Sequence, residues 1–247
     1  MNSSLWNQVG EKLAESGYTA YAPEMLGLGY TEGSLDHDHS LLGQAHLFKR
    51  FIESMIPDES ILVGHDLGGG TLQIMMTEFP GFVKKAVLTN CVGFDSWPIE
   101  DIKFIIRASQ RPNYSKIFTP KFTTGFVQKG ISGGLLNHTS LNESLVEDIV
   151  NGLIGNQERL DHFMKFLHLM DSQYTIQASA KLQNFTGNSL VVWAKDDKYQ
   201  PVSVGKQIHN QLPKVAWREF SGSHFHPLEA ADFVSIMLEW NKSLEEY

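Results

Sequence analysis

The sequence predicts a doubly wound, mostly parallel α/β sheet with a helical lid insertion. Three observations predict it. Short apolar runs alternate with helical stretches in the first hundred and the last sixty-odd residues, the pattern of parallel strands joined by crossover helices. One run, Ile61 to His65, ends in Gly64-His65-Asp66-Leu67-Gly68 and opens straight into a helical pattern, a strand, tight turn and helix in succession. From about 97 to 182 the alternation stops and helical spacing takes over, as at Leu160, Phe163, Met164 and Leu167.

Each element can be justified in turn. Ser3-Ser4 precede a helical stretch from Leu5 to Glu15, with Leu5, Val9 and Leu13 on one face and Gly17 ending it. Residues 18–22 (Tyr-Thr-Ala-Tyr-Ala) read as a strand, and 23–33 as a Gly-rich loop. A helix is expected over 41–55, a strand over 61–65, a helix over 67–79 and a strand over 85–90. After the insertion come a strand at 189–194, a helix near 202–212, a strand at 215–220 and a final helix at 229–244. The division is therefore a core of 1–96 and 183–247 and a helical cap of 97–182. The insertion leaves the sheet just after the helix that follows Asp66 and the next strand. That is where a lid that shapes a pocket and excludes water would depart.

Composition narrows the class. A chain of 247 residues, 42% apolar and 19% charged, can bury a full core, and no stretch approaches the roughly 18 apolar residues of a membrane helix. The net charge of −8 comes without a basic patch, so no nucleic-acid partner is expected. A lone cysteine, Cys91, rules out an internal disulfide and suits a reducing compartment. With no signal-peptide pattern at Met1, the expected location is cytoplasmic. No membrane partner, metal or cofactor is expected. Asp36-His37-Asp38-His39 lacks a firm metal-ligand spacing and reads as a solvated loop. Met75-Met76 reads as core filler.

Three residues could act together. Asp66 sits at the strand–helix turn, where flanking glycines allow a tight bend and the helix dipole favours an anion. Taken alone it could be a helix N-cap. Asp197 follows the 189–194 strand, at the edge where sites form in open α/β sheets, with Asp196 as its rival. His224 follows the last strand, with His226 as its rival. The order is nucleophile, acid, histidine.

These pieces resemble the α/β-hydrolase superfamily, most closely its aspartate-nucleophile branch of epoxide hydrolases and haloalkane dehalogenases. The matching segments are Ala22-Pro23-Glu24-Met25-Leu26-Gly27-Leu28-Gly29, Gly64-His65-Asp66-Leu67-Gly68-Gly69, Asp95-Ser96-Trp97-Pro98, Trp193 to Pro201 and Gly222-Ser223-His224-Phe225. The resemblance covers essentially the whole chain. It implies that Asp66 attacks a saturated carbon of a small apolar organic substrate and forms an alkyl ester. Attack on an ester carbonyl would instead give a mixed anhydride. His224 then activates water, Asp197 holds the histidine, and the Leu67 backbone N–H binds the oxyanion. Epoxide opening also needs an acid, which the family takes from lid tyrosines; Tyr174 and Tyr114 are the candidates. Halide release needs N–H donors, and Leu67 stands where dehalogenases commonly carry Trp, which weakens the dehalogenase alternative. Two other readings are a relative that only binds a small molecule and a serine-type esterase, the latter disfavoured by Asp66. The family sheet has eight strands against the five expected here, and its His-Gly oxyanion loop is not found. The chain thus reads as N-terminally incomplete.

Overall fold

The computed structural model describes residues 1–56, 60–136, 141–229 and 231–245. They form a parallel four-stranded sheet with flanking helices, the α/β-hydrolase arrangement. In chain order, a 3-10 turn at Ser3–Trp6 is followed by α1 (Asn7–Glu15), α2 (Leu41–Met55), β1 (Ile61–Asp66), α3 (Leu67–Glu78) and β2 (Lys85–Cys91). Then come α4 (Glu100–Ser109), α5 (Tyr114–Ile117), α6 (Pro120–Gly133), α7 (Glu143–Ile154), α8 (Gln157–His168) and α9 (Gln173–Ser179). The chain ends with β3 (Asn188–Ala194), α10 (Val202–Gln211), β4 (Val215–Phe220) and α11 (Ala231–Ser243). No helix among the described residues is long and apolar enough to cross a membrane.

The polypeptide divides into two compact units. One takes in Leu41–Trp97, Asp171–His224 and the C-terminal helix. It holds the sheet, in order β1-β2-β3-β4, with every neighbouring pair parallel. The middle strands read as continuous apolar runs because helices cover them: Val87, Leu88 and Leu190 through Ala194 have no exposed surface. At the β4 edge Arg218 and Glu219 are exposed, a charged rim that discourages further strand pairing. Helix α3 packs on β1 and β2, and α2 and α9 pack on α3. Trp193 is fully buried against Gly205 of α10, where any Cβ would lie 2.5 Å from its ring.

The second unit takes in Met1–Ser40, Pro98–Met170 and the turn beginning at Phe225. Its helices start on explicit caps. Thr119, followed by Pro120, accepts from the Phe122 N–H; Asn142 accepts from Leu145 N–H and Asn156 from Arg159 N–H. The expected face of α8 is the buried one: Leu160, Phe163, Met164 and Leu167 are at most 7% exposed. Gly27, at φ +95°, lets its loop lie on α8, since a Cβ there would meet the His162 carbonyl at 2.8 Å. The loop is tied by Glu24, which accepts from the Ser3 N–H and hydroxyl. Asp148 of α7 accepts from Asn2, Ser4 and the Tyr30 hydroxyl.

One expectation changes. Residues 18–22 are not a strand: they carry no regular structure and are exposed. Their β-propensity has no partner strand among the described residues, and an unpaired strand has nothing to satisfy its backbone. Residues 171–182, with α9, join the sheet unit, and 1–40 join the helices of 98–170.

Candidate active site

The site lies where the sheet's strands end. Asp66 is the last residue of β1 and bends the chain into α3 at φ 49°, ψ −124°, a backbone region that non-glycine residues rarely occupy. The ladder to β2 slips by one residue between His65 and Asp66, so the chain has left regular pairing where Asp66 projects. Asp66 holds the N-cap position of α3, but its side chain makes no capping bond there. The bend requires Gly64, whose Cβ would sit 2.6 Å from the Gly69 Cα, and Gly69, whose Cβ would strike the Cβ of Cys91. Gly68, by contrast, has open space around it, so the tight partner of Gly64 is one residue later than the sequence motif suggests. Leu67 is the first residue of α3, and its N–H belongs to the helix-terminal set that lacks an intrahelical partner.

Asp197 and His224 meet at the carboxyl ends of β3 and β4. His224 Nδ1 lies 2.8 Å from Asp197 Oδ2, with 4% and 0% of the two side chains exposed. A carboxylate only accepts, so Nδ1 carries the proton and Nε2 bears the lone pair of the neutral ring. The other oxygen of Asp197 accepts from the backbone N–H of Tyr199 (2.6 Å) and Gln200 (2.9 Å). Its rival Asp196 is exposed and accepts from Gly222 N–H at 3.2 Å. His226 starts a short 3-10 turn and falls in the other unit.

The electrostatics favour a basic His224. Burial alone would lower its pKa; the hydrogen bond to Asp197, with the charges of Asp197 and Asp66, outweighs this and holds it above 6.5. Burial likewise pushes Asp197 up, and the bonds from His224, Gln200 and Tyr199 bring it below its usual value. His65 behaves oppositely. Burial and the nearby His224 lower it to about 4, so at neutral pH its ring is uncharged. Its Nε2–H donates to the His224 carbonyl at 2.8 Å, which fixes the backbone under the catalytic candidate.

The two tyrosine candidates separate. Tyr174 is half-buried on α9, in the same unit as Asp66, Asp197 and His224. Tyr114 belongs to the other unit, where its hydroxyl donates to Asp161 at 2.9 Å; that bond and partial burial raise its pKa. The Asp36–His39 stretch does not converge on one point. Asp36 accepts a long bond from the Ser34 hydroxyl, Asp38 accepts from the Ser40 N–H, and His39 is buried against His162 at 2.7 Å.

Sequence reasoning missed two contributors. Tyr199 stands edge-on to His224, ring centroids 5.1 Å apart. Asn90, at the end of β2, reaches both β3 and Asp197. Only the Thr-Asn-Cys ending of an apolar run hinted at it.

The chain matches the family model for the alpha/beta hydrolase fold over residues 1–132, more than half its length, and it belongs to that family. It is similar to the 2-hydroxy-6-oxo-6-phenylhexa-2,4-dienoate hydrolase of Burkholderia cepacia, 22% identical over 93% of this chain and 78% of that protein. An uncharacterized protein of Mycobacterium tuberculosis is 24% identical over 96% of this chain and 71% of its own length. Among solved structures, the meta-cleavage product hydrolase of Pseudomonas fluorescens IP01 superposes with a TM-score of 0.78. It is 13% identical, over 98% of this chain and 87% of that one. The family match makes this chain a hydrolase of the α/β type.

Proposed function

We propose that this hydrolase works through Asp66 as nucleophile on a small apolar substrate, as epoxide hydrolases do. The observation that carries the reading is a carboxylate at the strained strand–helix turn, φ 49°, in one unit with a buried His224–Asp197 pair. One Asp66 oxygen attacks a saturated carbon, the carbon–oxygen bond of the epoxide breaks, and the alkoxide takes a proton from Tyr174. His224 Nε2 then takes a proton from water, whose oxygen attacks the Asp66 ester carbonyl. The Leu67 N–H receives the oxyanion; on collapse the acyl–oxygen bond to the substrate breaks, the departing alkoxide takes the proton from His224 to give the diol, and the Asp66 carboxyl gives its proton to the Tyr174 phenolate, which regenerates the carboxylate and the acid. Asp197 keeps His224 in the right tautomer and stabilises its charged form. Tyr114 is the weaker candidate for the acid because its proton is engaged with Asp161. The helices of the insertion are the candidate cap that selects substrate.

The substrate named for the Burkholderia relative is not carried over. Acyl transfer onto Asp66 would give a reactive anhydride, and a carboxylate is better matched to displacement at an alkyl carbon. Haloalkane dehalogenation is less favoured, because Leu67 offers no side-chain N–H to a leaving halide.

The test uses styrene oxide with the full chain. His224→Ala should accumulate a covalent ester on Asp66, seen as a mass increase of one substrate molecule on the peptide containing Asp66. Asp66→Ala should lose both adduct and turnover. Epoxide opening by Asp66→Ala at the wild-type rate would end the reading.

A further inference from the structure

We propose that Asn90 is a positioning residue for the acid–histidine pair: it fastens Asp197 to the end of β2 and thereby holds His224 ready for the hydrolytic step. This rests on the Asp66–His224 reading above.

The ladder between β2 and β3 ends at Thr89 and Val192. Two residues further along β3, Ala194 pairs with Phe220 of β4 on one side. On its other side it faces β2, and the Asn90 carboxamide takes the place of the missing strand. Oδ1 accepts from the Ala194 N–H at 2.8 Å, and Nδ2 donates to the Ala194 carbonyl at 3.0 Å. The second Nδ2 hydrogen goes to Asp197 Oδ2 at 2.8 Å, the same oxygen that takes the His224 Nδ1–H. The amide orientation is fixed, because Nδ2 meets only acceptors and Oδ1 meets the Ala194 N–H. The residue has no exposed surface.

The backbone shows that this placement is specified. Asn90 sits at φ 39°, in the left-handed region, and Phe94 at φ 52°. Between them the chain is pinned from three directions. Gln73 donates to the Val92 carbonyl at 2.7 Å, the Ser96 hydroxyl accepts from Gly93 N–H, and Ser179 and Thr175 hold the N–H and carbonyl of Phe94. Asn is among the few side-chain-bearing residues that tolerate this φ. Glycine would relax the backbone and lose the clamp. Aspartate would keep the acceptor for Ala194 and set a second carboxylate against Asp197. Only a carboxamide supplies an acceptor and two donors here.

The consequence falls on one half of the reaction. Asn90 reaches the chemistry only through Asp197 and His224, so alkylation of Asp66 should not depend on it, and ester hydrolysis should. Without the clamp Asp197 is less well aligned, and burial then draws the His224 pKa down. A misplacement of this kind slows a step by on the order of 10- to 100-fold.

The experiment compares wild type, N90G, N90D and H224A as full chains, by 15N-histidine NMR titration and by single turnover of styrene oxide. Glycine suits the positive φ, so N90G is the variant expected to fold, and N90D keeps the same backbone preference as a second route. Expected are a lowered His224 titration in N90G, an unchanged rate of ester formation and an accumulating ester. In N90D the two carboxyls share a proton, and ester breakdown slows as pH rises and that proton leaves. Wild-type His224 titration and ester breakdown in whichever of the two variants folds would overturn the role of Asn90. If H224A itself forms no ester, the Asp66 reading fails, and the NMR titrations still judge Asn90.

Discussion

Two buried histidines in this molecule, His224 and His39, each have a ring nitrogen within 2.8 Å of a partner, yet they end on opposite sides of their ordinary pKa. His224 faces a carboxylate and is held above 6.5; His39 faces His162 and is held below it. Burial disfavours the charged ring in both. For His39 that is the largest effect; the bond to the His37 carbonyl and the charge of Asp38 offset part of it, while His162 and Lys165 add to it. For His224 the Asp197 bond and charge exceed it. The His39 pair also fixes its own protons. The His37 carbonyl accepts from Nδ1–H at 2.8 Å, so Nε2 of the neutral ring accepts from His162 Nδ1–H. With the rings stacked at a 5.0 Å centroid distance, that pair is a structural joint. Partner charge thus separates the proposed base from a structural brace.

His224 on the one hand, and His39 and His65 on the other, load stability onto opposite ends of the pH scale. His224 binds its proton more tightly in the folded chain, so its contribution is complete below about 6.5 and fades as pH rises through the folded value. His39 and His65 bind theirs less tightly, so their contribution is present above about 6.5 and is lost as pH falls. With His65 near 4, its acid-side loss alone is on the order of 3 kcal/mol.

The largest expected effect breaks the first site. Asp197→Asn keeps the shape but replaces the carboxylate with an amide that can donate, which favours the wrong histidine tautomer. Ester hydrolysis should slow by roughly 10³- to 10⁴-fold, and the His224 titration should drop below 6.5 in NMR while His39 stays where it is. In wild type the same reasoning sets the pH profile. The base must be neutral, so hydrolysis should rise through a limb lying above 6.5. A limb below 6.5, or a His224 titration untouched in Asp197→Asn, would remove the claimed role of the carboxylate.

What the sequence made legible follows the same division. That Asp66, Asp197 and His224 lie at the carboxyl ends of strands could be read because each falls at or just past a strand end, and strand ends are local signals of apolar run and turn. The tautomer brace at His39 and the clamp at Asn90 could not. Their meaning lies in partners 123 and 104–107 residues away; locally, one looked like a solvated loop residue and the other like the end of a strand. Residues 18–22 show the reverse failure, with strong local propensity and no partner to pair with. The glycine motif was legible only by halves. Gly64 was read correctly as a close approach, but its counterpart is Gly69, because the first turn of α3 presses on Cys91 and that packing is invisible to spacing.

A medium-sized effect should convert the brace into something like the base. In His162→Asp one carboxylate oxygen would fall near the present position of Nδ1, within reach of His39 Nε2, since the two side chains share geometry to that atom. His39 would then gain the kind of partner His224 has, and its titration should cross from below 6.5 to above it. Turnover should change less than about threefold, because the pair plays no part in the proposed chemistry. A His39 titration that stays low despite the new carboxylate would show that burial, not partner charge, decides the difference between the sites.

The smallest effect is expected at Asp196, which adjoins Asp197 and shares its charge and its loop. If nearness to His224 in sequence or net negative charge at the sheet edge were enough, removing it would hurt almost as much as removing Asp197. It is exposed, however, and its carboxylate takes one bond of 3.2 Å from Gly222 N–H. The backbone pair from Asp196 N–H to the Gly222 carbonyl, at 3.1 Å, survives truncation of the side chain. Asp196→Ala should therefore cost about 0.5 kcal/mol of stability or less, leave the His224 titration in place, and alter ester hydrolysis less than about threefold. Thermal melts and single-turnover rates measured beside Asp197→Asn give the contrast directly. A loss at Asp196 within tenfold of that at Asp197 would mean that the loop's charge as a whole, and not one buried hydrogen bond, sets the basicity of His224.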